Sequence, residues 1–286
     1  MTGYEVEHIL AVGCELGESP VWHSTQGRLY WVDIDSQQMH TYDPASGGHA
    51  ITQFDRAISC LAFTGDGRMV MGTADGLAIW QHGQLDVLTD NPAYQPEKRF
   101  NDGTVDRAGR LWAGTLSDTP TNNLYRMDAD GTIRVMQSGL TIANGIGFSP
   151  DDRLMYHVDS GPGTIYVYDF DLASGAISGR RVFFQSDDSH GTPDGLTVDR
   201  EGFIWCAFWD GWKLARLTPD GHIVQEVRLP VQRPTSCTFG GPGLDTLYIT
   251  SAATGIDRDA QPLAGDLFRF KPDVGGFAEP LMRLTI

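Results

Sequence analysis

Six times along the chain a turn led by Gly or Asp runs into a short apolar stretch. The stretches are Gly27-Arg28-Leu29-Tyr30-Trp31-Val32, Gly67-Arg68-Met69-Val70-Met71-Gly72, Gly109-Arg110-Leu111-Trp112-Ala113-Gly114, Asp152-Arg153-Leu154-Met155-Tyr156-His157, Gly202-Phe203-Ile204-Trp205-Cys206-Ala207 and Asp245-Thr246-Leu247-Tyr248-Ile249-Thr250. Their starts lie 40, 42, 43, 50 and 43 residues apart. Short strands and turn residues at a period of about 40–50 mark a β-propeller, with one four-stranded blade per unit. A pair of β-sandwiches would show turn signals at closer spacing and no such long period.

The positions ahead of each turn repeat as well. They read Ser59 to Phe63, Asn101 to Val105, Asn144 to Phe148, Asp194 to Val198 and Ser236 to Phe239. These predict the innermost strands, which line a central channel. The turn stretches then begin the second strands. Asn123 to Met127 and Thr164 to Tyr168 predict third strands, and Gly221 to Gln225 an outer one. Tyr4 to Val12 is expected to pair with C-terminal strands and close the ring, which removes exposed edges. Amphipathic helix patterns are nearly absent, and no linker or low-complexity tract interrupts the chain. The expectation is an all-β protein, one six-bladed β-propeller domain over residues 1–286.

Composition narrows the function. Of 286 residues, 41% are hydrophobic, enough for a substantial core, and 34 Gly with 15 Pro suit many turns. Lys and Arg number 21 against 37 Asp and Glu, a net charge of −16. Such a surface repels phosphate backbones and anionic lipid heads, so neither nucleic acid nor membrane is expected as a partner. No apolar run approaches the ~18 residues that span a bilayer. The start Met1-Thr2-Gly3-Tyr4-Glu5 lacks the basic and apolar parts of a signal peptide, and a cytoplasmic protein is expected. Cys14, Cys60, Cys206 and Cys237 form no C-x-x-C pair and read as small buried hydrophobes.

Candidate chemistry sits at the strand starts. Glu18, Asn101, Asn144 and Asp194 each carry an oxygen-bearing side chain near a Gly or Pro, where an inner strand opens. Asn-Gly and Asp-Gly are also common turn pairs, and Asp66-Gly67, Asp75-Gly76, Asp130-Gly131 and Asp220-Gly221 fall between strands. Position separates the two groups. In a propeller the first residues of the inner strands meet at the channel mouth. Two carboxylates with amide oxygens there suit one divalent cation, Ca²⁺, Mn²⁺, Zn²⁺ or Fe²⁺, and their charge of −2 balances it. No Gly-x-Ser-x-Gly elbow and no His-x-x-x-His or Cys/His cluster competes in the sequence. His190, four residues before Asp194, reads as a solvated loop residue. Trp31, Trp112 and Trp205 fit between blades, whereas Trp209 and Trp212 lie at a strand-end loop where one can wall a pocket.

Five strings in order, Gly17-Glu18-Ser19-Pro20, Arg99-Phe100-Asn101-Asp102-Gly103, Ala143-Asn144-Gly145, Pro193-Asp194-Gly195 and Thr235 to Gly241, resemble the gluconolactonase/regucalcin (senescence marker protein) family, from about residue 14 to 270. The resemblance implies a six-bladed propeller with one divalent metal in its channel, hydrolysing a small sugar lactone. It places the metal ligands at Glu18, Asn144 and Asp194, and substrate contacts at Arg99 and Asn101. The chain departs from the family after the second strand of unit three. Some relatives carry a substrate-contacting glutamate and a long loop there, whereas Leu116 to Asn123 is short, with Asp118 its nearest carboxylate.

Lactone opening needs carbonyl polarisation, a nucleophilic water and help for the leaving alkoxide. A divalent ion supplies the first and activates the second. Asp194 is expected to act as both ligand and general base, Arg99 to hold substrate oxygens through its fork of donors, and Asn101 to orient a hydroxyl or water. Two other functions fit the same residues: an aryl esterase or phosphotriesterase on the same metal, and a non-enzymatic calcium-binding propeller.

Overall fold

The computed structural model describes residues 4–88, 99–117, 119–187 and 189–286. The chain opens with β1 (Glu7–Leu10) and then builds blades in succession. Blade one holds β2 (Gly17–His23), β3 (Arg28–Asp33), β4 (Gln38–Asp43) and β5 (Gly48–Gln53). Blade two holds β6 (Ile58–Phe63), β7 (Met69–Thr73), β8 (Gly76–Gln81) and β9 (Gln84–Val87). Blade three holds β10 (Arg99–Val105), β11 (Leu111–Leu116), β12 (Asn122–Met127) and β13 (Ile133–Leu140). Blade four holds β14 (Ala143–Phe148), β15 (Leu154–Asp159), β16 (Thr164–Asp171) and β17 (Ala176–Gln185). Blade five holds β18 (Thr192–Val198), β19 (Ile204–Trp209), β20 (Lys213–Leu217) and β21 (Ile223–Arg228). Blade six holds β22 (Pro234–Gly240), β23 (Thr246–Ser251), β24 (Leu267–Phe270) and, as its outermost strand, β1.

Every sheet is an antiparallel meander of four strands, and six of them form a ring. Closure follows the expected route. β1 pairs antiparallel with β24, through Glu7 opposite Arg269 and His8 opposite Phe268. The inner strand of blade one then packs against that of blade six, so the first and last blades share a seam.

The core divides into six apolar clusters, and each lies between two neighbouring blades. Trp112 and Leu124 of blade three meet Phe148, Met155 and Phe170 of blade four. Trp205 and Leu214 of blade five meet Phe239, Leu247 and Phe268 of blade six. Trp22 and Trp31 of blade one meet Tyr248 and Leu267 of blade six. Propeller blades bury both faces, which explains why the second strands read as nearly continuous apolar runs rather than alternating ones. Trp31, Trp112 and Trp205 are fully buried in these interfaces, as the strand pattern predicts.

The turns between first and second strands carry their own wiring. Asp106 accepts from the backbone N–H groups of Ala108 and Arg110, from the Arg110 guanidinium at 2.7 Å and from the Trp112 indole N–H at 2.9 Å. Asp199 repeats the pattern with Glu201, Phe203 and Arg216. These buried carboxylates supply acceptors for turn N–H groups that would otherwise lack a partner.

Candidate active site at the channel mouth

The inner strands do not run as regular ladders. Each loses register with its neighbour near its start: between Glu18 and Val21, Ile58 and Cys60, Phe100 and Gly103, Ala143 and Ile146, Pro193 and Leu196, and Pro234 and Ser236. A bulge releases its residues from strict side-chain alternation and re-aims them. Asn101, Asn144 and Asp194 sit inside bulged stretches, and Glu18 sits at the edge of one. The sequence places these residues at the starts of the inner strands; in the structure each is the second or third residue of its strand. Ser19, in the bulge after Glu18, takes a positive φ of 47°.

Glycine after the site residue allows a close approach. A Cβ on Gly145 would lie 2.6 Å from the carbonyl oxygen of Asp194 and 2.6 Å from the Leu196 nitrogen. A Cβ on Gly195 would lie 2.1 Å from the Ser236 hydroxyl oxygen. The inner strands of blades four, five and six therefore crowd together where their side chains meet the axis. Ser160 ties two of them: its hydroxyl donates to the Pro193 carbonyl at 2.7 Å and accepts from the Asn144 amide at 3.1 Å.

Glu18, Asn101, Asn144 and Asp194 are all buried. The fold brings them to one electrostatic neighbourhood. Burial pushes the Glu18 carboxyl well above its ordinary range, and the charges of Asp194 and Asp102 push it further. Burial does the same to Asp194, reinforced by Asp102 and opposed by the Asn144 amide and the Gly195 N–H. Asp102 rises to about 6 through burial, opposed by hydrogen bonds from the Ser19 hydroxyl at 3.0 Å and the Gly103 N–H at 2.9 Å. Burial holds the Arg99 guanidinium down, while the charges of Glu18, Asp35 and Asp194 favour its protonated form.

The carboxyl groups of Glu18, Asp194 and Asp102 thus gather near the Arg99 guanidinium, three acids beside one base in a buried place. Two oxygens there, Asn144 Oδ1 and Asp194 Oδ1, are buried without a hydrogen-bond partner. Buried polar atoms are rarely left so. Oxygen donors of two carboxylates and an amide, two of them unpartnered, fit a hard divalent cation.

Arg99 and Asn101 form a pair. One guanidinium nitrogen of Arg99 donates to Asn101 Oδ1 at 2.8 Å and to the Phe100 carbonyl at 3.0 Å. The Asn101 amide donates to the Ala143 carbonyl at 3.0 Å. Asn101 therefore fixes Arg99 and links blade three to blade four. Asp118 lies outside the described residues. His190 stays in a turn with its side chain 29% exposed, and its Nδ1 meets the buried Lys213 Nζ at 3.0 Å. Trp209 stacks beneath the Arg233 guanidinium at 4.6 Å, and Trp212 is exposed.

Two features escape a reading of the sequence. Asp102 follows Asn101 in the same bulge and adds the third carboxylate; it stands in the inner-strand string Asn101 to Val105, where nothing singles it out. The four cysteines are buried and unbonded as expected, yet Cys14 has a histidine beside it, with His40 Nε2 at 3.8 Å from its sulfur. No short spacing announces that pair.

Beyond the site, toward the far ends of the inner strands, the channel widens into a cavity of about 300 Å³. Ser19 and Asp102 border it on the site side, Phe63 and Phe148 line it, and Arg107 and Glu279 also face it. The C-terminal segment 277–281 contributes to its walls. Burial, then the charge of Asp102, raises the Glu279 carboxyl to about 7, opposed by Arg107 and the Thr104 side chain.

A six-bladed propeller whose inner strands deliver carboxylate and amide oxygens to one end of an axial channel defines a class of cation-competent propellers. Within it, the chain belongs to the SMP-30/gluconolactonase/LRE-like family, whose model matches residues 16–253. It is 36% identical over 288 residues to the pentonolactonase XacC of Haloferax volcanii, covering 98% of this chain and 94% of that one. It is 38% identical over 277 residues to the 6-deoxy-6-sulfogluconolactonase of Pseudomonas putida, covering 93% and 94%. Among solved structures, it is similar to the calcium-binding protein regucalcin of Agrobacterium tumefaciens, with a TM-score of 0.93 and 28% identity over 99% of this chain and 98% of that one.

Proposed function

We propose that this chain is a sugar lactonase that opens an aldonolactone to its free acid, with one divalent cation held by Glu18, Asn144 and Asp194. The observation that carries the reading is the pair of buried oxygens, Asn144 Oδ1 and Asp194 Oδ1, without a hydrogen-bond partner in a buried cluster of carboxyl groups whose ionisation burial disfavours. Family membership and the names of the two lactonase relatives support the substrate class.

A cation bound there would supply Lewis acidity toward the lactone carbonyl and favour the ionised form of the carboxyl groups that hold it. The chain's own residues do the rest. Asp194 accepts the proton of the attacking water. Arg99 presents donors in a planar fork suited to the lactone's hydroxyl or carbonyl oxygens. Asn101 holds that fork in place through its oxygen. Asn144 is fixed by Ser160, so its oxygen keeps one direction without reorganisation. Burial of the whole group strengthens each charge interaction.

The test is a pH-stat panel of pentonolactones and hexonolactones, with protein stripped by a chelator and re-supplied with Ca²⁺, Mn²⁺, Zn²⁺ or Fe²⁺. Turnover that vanishes on stripping and returns with one of these ions is the expected result. Full turnover after exhaustive chelation would remove the cation from the reading. Aryl-ester or phosphotriester turnover with no lactone turnover would replace the substrate class.

A further inference from the structure

At the seam where the ring closes, three buried side chains bring unlike donors together. A sulfur of Cys14, a carboxylate oxygen of Asp33 and an imidazole nitrogen of His40 lie within 4.8 Å of one another. We propose that this triad is a structural site for a thiophilic divalent cation of the zinc class, separate from the channel site and clamping the closure of the propeller.

The donor set suits such an ion. Zinc takes thiolate sulfur, imidazole nitrogen and carboxylate oxygen, with bonds of about 2.3 Å to sulfur and about 2.0–2.2 Å to nitrogen and oxygen. Tetrahedral coordination at those lengths separates neighbouring donors by roughly 3.3–3.6 Å. Cys14 Sγ and His40 Nε2 are already 3.8 Å apart. Asp33 accepts three backbone N–H bonds, from Glu15, Leu16 and Ser36, on a carboxylate with about four acceptor positions. One acceptor position is left for a ligand bond.

The surroundings match what a metal-binding histidine needs. His40 Nδ1 pairs with His49 Nε2 at 2.9 Å. With the proton placed on Nδ1, His49 accepts it and the Nε2 lone pair of His40 faces Cys14. Such an outer hydrogen bond fixes the tautomer and ring orientation of a metal-ligating imidazole. Trp31 packs over His40 at 4.9 Å and 22°, and over His49 at 5.7 Å and 15°, which locks both rings. Trp31 also hydrogen-bonds Cys14, as a donor able to stabilise a thiolate. Burial pushes the free thiol up to about 12 and the His40 imidazole down to about 4. Without a cation, both stay neutral and the S–H donates to the imidazole.

The position gives the site its role. Cys14 lies on the segment that leaves β1 of blade six and enters β2 of blade one. Its N–H donates to the Gly265 carbonyl at 2.9 Å and its carbonyl accepts from Ala253 at 3.1 Å, both in blade six. Asp33 and His40 belong to blade one. An ion joining them ties the two ends of the ring. Such a site acts by favouring the folded state.

The test uses the untagged full chain, reduced and stripped by chelator, titrated with Co²⁺ as a zinc probe. Thiolate ligation gives a sulfur-to-cobalt charge-transfer absorption that the oxygen-only channel site does not. The expected result is one such band, displaced by Zn²⁺, retained in the Glu18→Gln/Asp194→Asn double variant, retained in Cys60→Ser and lost in Cys14→Ser. Zn²⁺ is expected to raise the melting temperature of the Glu18→Gln/Asp194→Asn double variant, whose channel site is removed, and not that of the same variant carrying Cys14→Ser. Absence of the band in wild type, or its survival in Cys14→Ser, overturns the proposal. Should Cys14→Ser fail to fold, the exposed His49 decides: His49→Ala is expected to weaken Co²⁺ binding about 10–100-fold, and an unchanged affinity overturns the assignment.

Discussion

Glu279, in the channel beyond the site, gives a test of the electrostatics that isolates one group. Its carboxyl rises from 4.5 to about 7 because burial and the charge of Asp102 disfavour ionisation. The folded protein therefore holds a proton that the unfolded chain has released between those two values. A raised acid of this kind destabilises the fold as pH rises through the window from 4.5 to about 7, the reverse of a salt-bridged carboxylate. At 1.36 kcal/mol per pH unit the full cost above pH 7 is about 3.4 kcal/mol. Water in the adjoining cavity screens the charge, so about 1–2 kcal/mol is the expected remainder. Glu279→Gln keeps the shape and removes the charge. Relative to wild type, it is expected to be neutral at pH 4 and stabilising by about 2–8 °C in melting temperature at pH 8, at about 2–4 °C per kcal/mol. The comparison cancels the buried His40 and His157, whose pKa values fall to about 4 and about 3 through burial and which shift stability the other way as pH rises. Scanning calorimetry of both proteins from pH 4 to pH 8, stripped of metal, gives the difference directly. Parallel curves at all pH values would refute the claim that an ionised carboxylate is strained in this channel.

Other consequences follow from the crowding at the axis and from Arg99. Gly145→Ala forces a methyl against the backbone of Asp194 and Leu196, so a loss of about 1–3 kcal/mol in stability is expected, with weaker binding of the channel cation in a metal titration; unchanged values for both would show that the inner strands move freely. Arg99→Lys keeps the charge and loses the fork held by Asn101. A lost hydrogen bond to a charged group amounts to about 1.5–3 kcal/mol, so kcat/KM for the lactone is expected to fall roughly 10–100-fold; an unaltered kcat/KM would remove Arg99 from substrate binding.

Much of this molecule is legible in its sequence because its blades repeat. The Gly- and Asp-led turns recur since each blade needs the same tight connection, and Asp106 and Asp199 show the shared wiring. The apolar second strands are visible because both faces are covered. Glu18, Asn144 and Asp194 are legible because a Gly or Pro follows each closely, and Gly145 and Gly195 show the physical need: no side chain fits between the inner strands there. The bulges themselves are invisible, since one residue's slip leaves no mark on composition. For that reason no signal marks Asp102 as a neighbour of Glu18 and Asp194. The partnership of Cys14 with His40 and the approach of Glu279 to Asp102 join irregular segments to distant strands. Contacts of that kind carry no period.

Glu18, Asn144 and Asp194 are proposed to hold one cation together at the channel mouth. Anomalous diffraction from crystals of the stripped protein soaked in Mn²⁺ tests it most directly. The account expects a manganese peak bounded by those three side chains, lost in Asp194→Asn. A map with no peak between them, or with manganese seated elsewhere in the channel, would contradict it.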